Sequence, residues 1–218
     1  MHTPMKARAV VTRYTVLVGA LLLGACSGEV SSPAAASVKT MQGSSMYAPT
    51  AAEKALIGVV DGTYSVTFDP TKDESFALGP NHLDIPADAV CDLLNSGYGA
   101  AYWDQPCNPQ TQPVTLSVVI KNATSDHPSI NFYPAMRFNP AKSVELYMYA
   151  PHVSATDAKN WLMSYCPDLG GCFDESATDN SLSTVIDYAN DMLFRRVKHF
   201  SGYTVAERSD DGSIISGL

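Results

Sequence analysis

Apolar and polar residues alternate along the middle of the chain, from Val114 to Tyr149. The alternating apolar positions form three groups that are separated by segments containing Pro and Asn. They are Val114, Leu116, Val118 and Ile120, then Ile130 and Phe132, then Val144, Leu146 and Met148. Successive side chains of a strand point to opposite faces, so this period of two predicts three half-buried antiparallel strands.

Similar patterns flank this central block. Alternating apolar residues at 64–68 and 83–85, each stopped by a nearby Pro, predict two earlier strands. Three later strands are predicted at 160–165, 192–198 and 203–205. About 165 residues are enough for one hydrophobic core and too few for two. The sequence therefore predicts one all-β domain over residues 51–208, a single antiparallel β-sandwich.

The last third of the chain also contains a polar stretch rich in acids. Its members are Asp174, Glu175, Asp179, Asp187 and Asp191. Their spacing does not match a calcium-binding loop, so we interpret the stretch as a solvated connection between strands. Residues 209–218 are polar and contain glycine, which predicts a flexible tail.

The amino terminus has the pattern of an export signal. Residues 1–13 contain Lys6, Arg8 and Arg13 but no acid, and residues 14–23 are almost wholly apolar. The apolar run is too short to span a bilayer core of about 30 Å. Residues 1–25 are therefore predicted to be a signal peptide.

The run Leu22-Leu23-Gly24-Ala25-Cys26 resembles the lipobox of bacterial lipoproteins. The resemblance implies cleavage before Cys26 and lipidation of its thiol, which would tether the protein to a membrane. The alternative is an ordinary secretory peptide with a cysteine at its cleavage site. Residues 26–50, rich in Ser, Ala, Gly and Pro, are predicted to form a flexible linker. Ser27 stands where an Asp favours inner-membrane retention in some bacteria, so the outer membrane is the preferred location.

Charge excludes one class of partner. Removal of residues 1–25 takes away three of the 14 basic residues and none of the 22 acids, which leaves a formal charge of −11. So acidic a protein lacks the basic surface that nucleic acids require. The remaining partners are the membrane, through Cys26, and a protein or glycan of the cell envelope.

Four cysteines remain when Cys26 is lipidated. They are Cys91, Cys107, Cys166 and Cys172. An even number outside the cytoplasm predicts two disulfides, and three pairings are possible. We favour 91 with 107 and 166 with 172, because each closes a local loop with little strain. A zinc site is the weaker alternative, since no C-x-x-C pair is present.

The loop from Cys91 to Cys107 contains the aromatic residues Tyr98, Tyr102 and Trp103 among several turn-forming residues. A loop of this length in a compact domain is either functional or held in place by other contacts. Aromatic side chains supply contact area, so this loop is the candidate binding surface. Trp103 also fits a second interpretation, in which it caps or enters the core.

Three segments carry a resemblance to the ZU-five type of β-sandwich, which occurs in ankyrins, netrin receptors and some death-domain scaffold proteins. They are L-D-I-P-A-D-A-V at 83–90, V-T-L-S-V at 114–118 and I-N-F-Y-P-A-M-R-F-N-P-A-K-S-V-E-L-Y-M at 130–148. Residues 62–205 also resemble uncharacterised bacterial surface lipoproteins that end in H-F-S-G-Y, the sequence found here at 199–203. The chain departs from the animal domain in its insertion between Cys91 and Cys107.

The ZU-five resemblance implies a possible reaction at His199-Phe200-Ser201, because some family members cleave themselves between Phe and Ser of this triplet. Ser201 would be the nucleophile, His199 its base and Phe200 the donor of a strained carbonyl. In an extended strand the two polar side chains share a face, about 6.6 Å apart. A bulge at Gly202 would bring them within hydrogen-bonding distance. The alternative is an ordinary edge of the last strand.

Elsewhere the sequence contains no G-x-S-x-G elbow and no glycine-rich phosphate loop. The other central histidines, His82, His127 and His152, lie apart and are interpreted as local hydrogen-bond partners. The sequence thus predicts a non-enzymatic envelope lipoprotein without cofactor or metal, with the self-cleaving domain as one alternative. The other alternative is a carbohydrate-binding module that uses Tyr98, Tyr102 and Trp103 as a stacking surface.

Overall fold

The computed structural model describes residues 61–155, 160–167 and 171–217. The predicted signal peptide, the lipidation site Cys26 and the linker 26–50 lie outside these residues. Within the described ranges, no helix is long and apolar enough to cross a membrane.

The described chain consists mainly of β-strands. In chain order they are β1 (Gly62–Phe68), β2 (Glu74–Leu78), β3 (Asn81–Ile85), β4 (Val114–Lys121), β5 (Ser129–Arg137), β6 (Val144–Tyr149), β7 (Asn160–Tyr165), β8 (Val185–Asp187), β9 (Met192–Val197), β10 (His199–Arg208) and β11 (Ile214–Ile215). One sheet has the order β1-β4-β5-β10-β11, with β7 also paired to β10, and the other has the order β2-β3-β6-β9-β8. The two antiparallel sheets pack face to face, which confirms the predicted all-β sandwich.

The core follows from the alternation. Along β4, Val114, Leu116, Val118 and Ile120 are buried, and most residues between them are not. Opposite them, Leu83 and Ile85 of β3 and Leu146 of β6 are also buried. The three strands predicted from the central block are therefore confirmed as β4, β5 and β6.

The chain passes from one sheet to the other at Lys198. Val197, the last residue of β9, pairs with Val144 in one sheet, whereas His199, the first residue of β10, pairs with Arg137 in the other. Phe200 anchors this crossover in the core, stacked on Phe132 with 4.2 Å between ring centroids. The H-F-S triplet is thus placed where the two sheets meet, and not on a free sheet edge.

The acidic stretch differs from its prediction as a solvated connection. Two short 3-10 helices, Glu175–Ala177 and Asn180–Leu182, occupy it, and the carboxylates of Asp174 and Asp179 cap their amino-terminal ends. The side chain of Glu175 is buried, and so is that of Asp187. The prediction is wrong for these two residues because Glu175 pairs with the buried Arg195 and Asp187 bonds to its own turn.

The predicted tail 209–218 includes β11. Its residues Ile214 and Ile215 pair with Arg208 and Glu207 at the end of β10. The tail is therefore tied to the sheet at these two positions.

Candidate functional site

The site is built on the disulfide loop from Cys91 to Cys107. The structure contains the disulfides Cys91–Cys107 and Cys166–Cys172, which confirms the favoured pairing. Backbone contacts extend the closure of the first loop, because Asp92 N donates to Asn108 O at 2.9 Å. Cys91 N also donates to Arg137 O at 3.1 Å, which fixes the base of the loop to β5.

Arg137 organises the loop from inside. Its Nε donates to the carbonyl oxygens of Ser96 and Gly97, and its Nη1 donates to those of Tyr102 and Gln105 at 3.0 and 2.7 Å. The residue is only 4% exposed, and burial lowers the pKa of its guanidinium. One side chain therefore gathers four backbone carbonyls of a loop that has no regular secondary structure.

Trp103 lies over His199. The two rings stack with centroids 3.9 Å apart and an interplanar angle of 21°. The indole also meets Tyr165 edge to face, and it packs against the core. These contacts support the interpretation of Trp103 as a cap on the core, and they remove one of its faces from any stacking surface.

Tyr98 and Tyr102 remain partly accessible, at 41% and 42% exposure. The Tyr98 hydroxyl nevertheless reaches inward and donates to the carbonyl oxygen of Phe200 at 2.8 Å. Leu94 is 93% exposed on the same loop. The loop thus exposes aromatic and apolar groups, and Arg137 and the disulfide hold its backbone in place.

A charged contact ties the loop to the acidic stretch. Lys198, at the crossover between sheets, forms ion pairs with Asp104 of the loop and with Asp179 Oδ2, the latter at 2.7 Å. Burial raises the pKa of Asp179, but the hydrogen bonds from Lys198 and Ser181, together with the charge of Lys198, outweigh this, and the pKa falls to about 2.

Beneath the loop lies a buried charged cluster of Glu175, Arg195 and His199. Glu175 Oε2 accepts from Arg195 Nη2 at 2.8 Å, and a 2.9 Å hydrogen bond joins Glu175 Oε1 to His199 Nε2. The side chains of Arg195 and His199 are 0% exposed. Burial raises the pKa of Glu175, but the hydrogen bond from His199 and the charges of both partners lower it below its ordinary value of 4.5.

Tyr203 of β10 contacts two members of this cluster. Its hydroxyl donates to the carbonyl oxygen of His199 at 2.8 Å, and its ring lies 5.8 Å below the Arg195 guanidinium. Complete burial, together with the Glu175 charge, raises the pKa of Tyr203 well above its ordinary value.

The H-F-S triplet is held in this environment. His199 Nε2 is bonded to Glu175, and within the described part of the chain its Nδ1 has no hydrogen-bond partner. The pairing of β10 with β5 is irregular at Ser201, between Phe200 and Gly202. No hydrogen bond joins the Ser201 hydroxyl to His199 among these residues. The base and nucleophile proposed from the resemblance are therefore not hydrogen-bonded to each other here.

Gly202 explains the irregularity. A Cβ added at this position would lie 2.4 Å from the carbonyl oxygen of Cys166 and 2.3 Å from Asn131 Oδ1. Cys166 N also donates to Gly202 O at 2.8 Å. Only a residue without a side chain lets the backbones approach so closely.

Next to Arg137 the loop encloses a concavity of about 490 Å³. Its lining residues are Asn95, Ser96, Gly97, Tyr102, Gln105, Pro106, Cys107, Asn108 and Arg137. A smaller concavity of about 170 Å³ lies beside it, under Leu93 and Leu94. Both belong to the loop that the sequence singled out.

The sequence points to the loop and to the H-F-S triplet, but not to the contact between them. It gives no sign of the roles of Arg137, Glu175 and Arg195. Arg137 stands in a strand pattern between Met136 and Phe138, and nothing local distinguishes it from a surface position. Glu175 lies in a polar segment that is typical of solvated loops. His82, His127 and His152 lie away from this cluster, and the described residues contain no group of three potential metal ligands.

No protein-family model, no curated protein and no solved structure matches this chain. The resemblance to the ZU-five family therefore stays a prediction, and the β-sandwich stands on the structure itself.

Proposed function

We propose that the protein is a lipid-anchored envelope module that binds a partner with its Cys91–Cys107 loop and performs no catalysis. The observation that carries the proposal is the way the loop is held. A disulfide, the Arg137 hydrogen bonds and the Lys198–Asp104 pair fix a backbone that exposes Tyr98 and Tyr102. A preorganised surface with aromatic groups loses little entropy on binding.

Two further features support this proposal. The two disulfides fit an oxidising compartment, as expected for an exported protein. The His199 imidazole is enclosed by Trp103 and Tyr165 and bonded to Glu175, an arrangement suited to support of the loop. Attachment through Cys26 follows from the lipobox resemblance, and the preference for the outer membrane follows from Ser27 at the next position.

Binding is tested with the full-length protein in detergent and insoluble envelope polymer from the host bacterium. The retained fraction is measured after sedimentation. We expect wild-type protein and the control Tyr188→Ala, which removes a tyrosine that is 48% exposed outside the loop, to sediment. The Tyr98→Ala/Tyr102→Ala variant should lose most of this retention. Equal retention of all three proteins would exclude the loop as the binding surface.

Anchoring is tested separately. Cys26→Ser should move the protein from the membrane to the soluble fraction, and continued membrane retention would contradict lipidation at this residue.

Among the proposed partners of the loop, the concavity supports a carbohydrate. Tyr102 and three amide side chains, those of Asn95, Gln105 and Asn108, line it, and such groups suit a sugar better than a flat protein surface. The stacking surface would then be Tyr102 with Tyr98, without Trp103.

Self-cleavage between Phe200 and Ser201 is tested by the denatured intact mass of the mature protein after thiol alkylation. We expect one unalkylated species, four hydrogens lighter than the reduced chain. Two fragments that divide at this bond would instead make Ser201 a nucleophile, and Ser201→Ala would then have to abolish the division.

A further inference from the structure

We infer that the concavity at Arg137 binds the carboxylate of an acidic sugar, such as a uronic acid residue of an envelope polysaccharide. This inference rests on the proposed binding function and names the ligand class of the same loop. It depends on three observations, namely an incompletely bonded buried cation, the absence of a second cation, and the amide groups around it.

The first observation concerns the Arg137 guanidinium. A buried charge is costly unless it is paired or fully hydrogen-bonded. Nε and both hydrogens of Nη1 are used by four carbonyl oxygens, but Nη2 has no hydrogen-bond partner among the residues that the structure describes. Nη2 is also not among the unpartnered atoms that are sealed from solvent. Its two N–H groups are therefore accessible to an anion, and Arg137 lines the concavity.

The carboxylates nearest in sequence to the loop's lining are already engaged. Asp92 accepts from the backbone of Leu94 and from the side chain of Asn95. Asp104 is paired with Lys198. In the described part of the chain, no carboxylate forms an ion pair with Arg137, so the guanidinium has no internal counterion.

The second observation sets the charge of the ligand. Arg137 is the single cationic residue among the described residues that line the concavity, and the whole chain has a formal charge of −8. One guanidinium matches one carboxylate, and the acidic chain disfavours a bound group of higher charge, such as a phosphate monoester.

The third observation favours a sugar over a peptide. Asn95 Nδ2 donates to Asp92 at 2.9 Å and Gln105 Nε2 donates to Ala101 O at 2.8 Å. Their side-chain oxygens are left as acceptors, and hydroxyl groups are suitable donors. The exposed Tyr102 ring supplies apolar contact area for the C–H face of a sugar. The concavity has the size of a small-molecule site, which typically measures about 300–1,000 Å³.

The test is isothermal titration of the full-length protein in detergent with D-glucuronate, D-glucose and N-acetylglycine. Glucuronate carries a carboxylate that glucose lacks, and N-acetylglycine carries a carboxylate but no sugar ring. We expect saturable binding of glucuronate, with glucose and N-acetylglycine each at least about tenfold weaker.

Asn108→Asp is the informative variant. Among the described residues the Asn108 side chain makes no hydrogen bond, so the change adds a negative charge to the concavity and leaves the Arg137 contacts in place. Glucuronate affinity should fall at least about tenfold. Gln112→Glu, which adds the same charge at an exposed position outside the lining, should retain wild-type affinity and serves as the control.

Several results would overturn the inference. They are tighter binding of N-acetylglycine, which would identify a peptide carboxylate, equal binding of glucose, and an unchanged affinity in Asn108→Asp. No binding of any probe would also overturn it. If tyrosine-dependent sedimentation with envelope polymer persists in that case, the proposed function stands and only the acidic-sugar site fails.

Discussion

The buried cluster under the loop leads to the sharpest prediction, on replacement of Glu175 by Gln. The substitution keeps the shape of the side chain but removes the charge that Arg195 faces. The Arg195 side chain is 0% exposed, and only Glu175 forms an ion pair with it in the described part of the chain. Removing one partner of a buried ion pair costs about 3–5 kcal/mol, because the other charge stays buried and uncompensated.

A second histidine–carboxylate pair provides the matched control. His82 Nε2 lies 2.9 Å from Asp84 Oδ1, the same distance as in the His199–Glu175 pair, but the Asp84 side chain is 38% exposed. Asp84→Asn should lower the free energy of unfolding by only about 0–1 kcal/mol, since water can replace the lost interaction of an exposed ion pair. The two variants thus make the same chemical change at different burial.

The assay is urea unfolding at pH 7 of the Cys26→Ser protein without residues 1–25, followed by tryptophan fluorescence with both disulfides oxidised. We expect Glu175→Gln to lose at least about 3 kcal/mol of unfolding free energy. Adding Arg195→Met to Glu175→Gln should restore part of this loss, because the orphaned charge is then gone. A difference below about 1 kcal/mol between Glu175→Gln and Asp84→Asn would refute the reasoning.

Three other predictions follow from the same contacts. The folded-state pKa values of Glu175 and Asp179 lie below their ordinary values of 4.5 and 3.8, so their stabilisation is present above those values and is lost as pH falls. Thermal unfolding between pH 6 and pH 2 should show this decline mainly below about pH 4.5, and a flat profile would contradict it. Gly202→Ala should lower the unfolding free energy in urea by about 1–3 kcal/mol. Gly171→Ala is its control, because a Cβ there meets nothing within 4 Å, and equal stability of the two would contradict the close approach. Replacing both Cys91 and Cys107 by Ser should cost about 3 kcal/mol in the same assay, and no loss would mean that the non-covalent contacts of the loop hold it without the disulfide.

Much of the fold was predictable because side-chain alternation is a local property of a strand. The spacing of two residues alone predicts burial of Leu116, Val118 and Ile120. This prediction does not depend on which sheet the strand joins. The pairing of Cys166 with Cys172 was accessible for a similar reason, since a short loop brings its own ends together.

The candidate site was predictable only in part. Tyr98, Tyr102 and Trp103 were identified as a binding surface from their residue types, but Trp103 is withdrawn by its contact with His199. That contact joins residues 96 positions apart in the chain, and no local pattern encodes it. Glu175 was assigned to solvent because a polar neighbourhood usually means exposure, and only its partners at positions 195 and 199 reverse this.

The strand pattern, the sandwich class and the local disulfides follow from the sequence, because each depends on residues that are close along the chain. The export signal and lipid anchor were also predicted at that level. Only the packing of the two sheets places the disulfide loop over the crossover at Lys198. The same packing places Arg137 inside the loop and buries Glu175 against Arg195 and His199. These arrangements depend on how two sheets pack, and packing brings together residues whose spacing in the sequence carries no periodic signal.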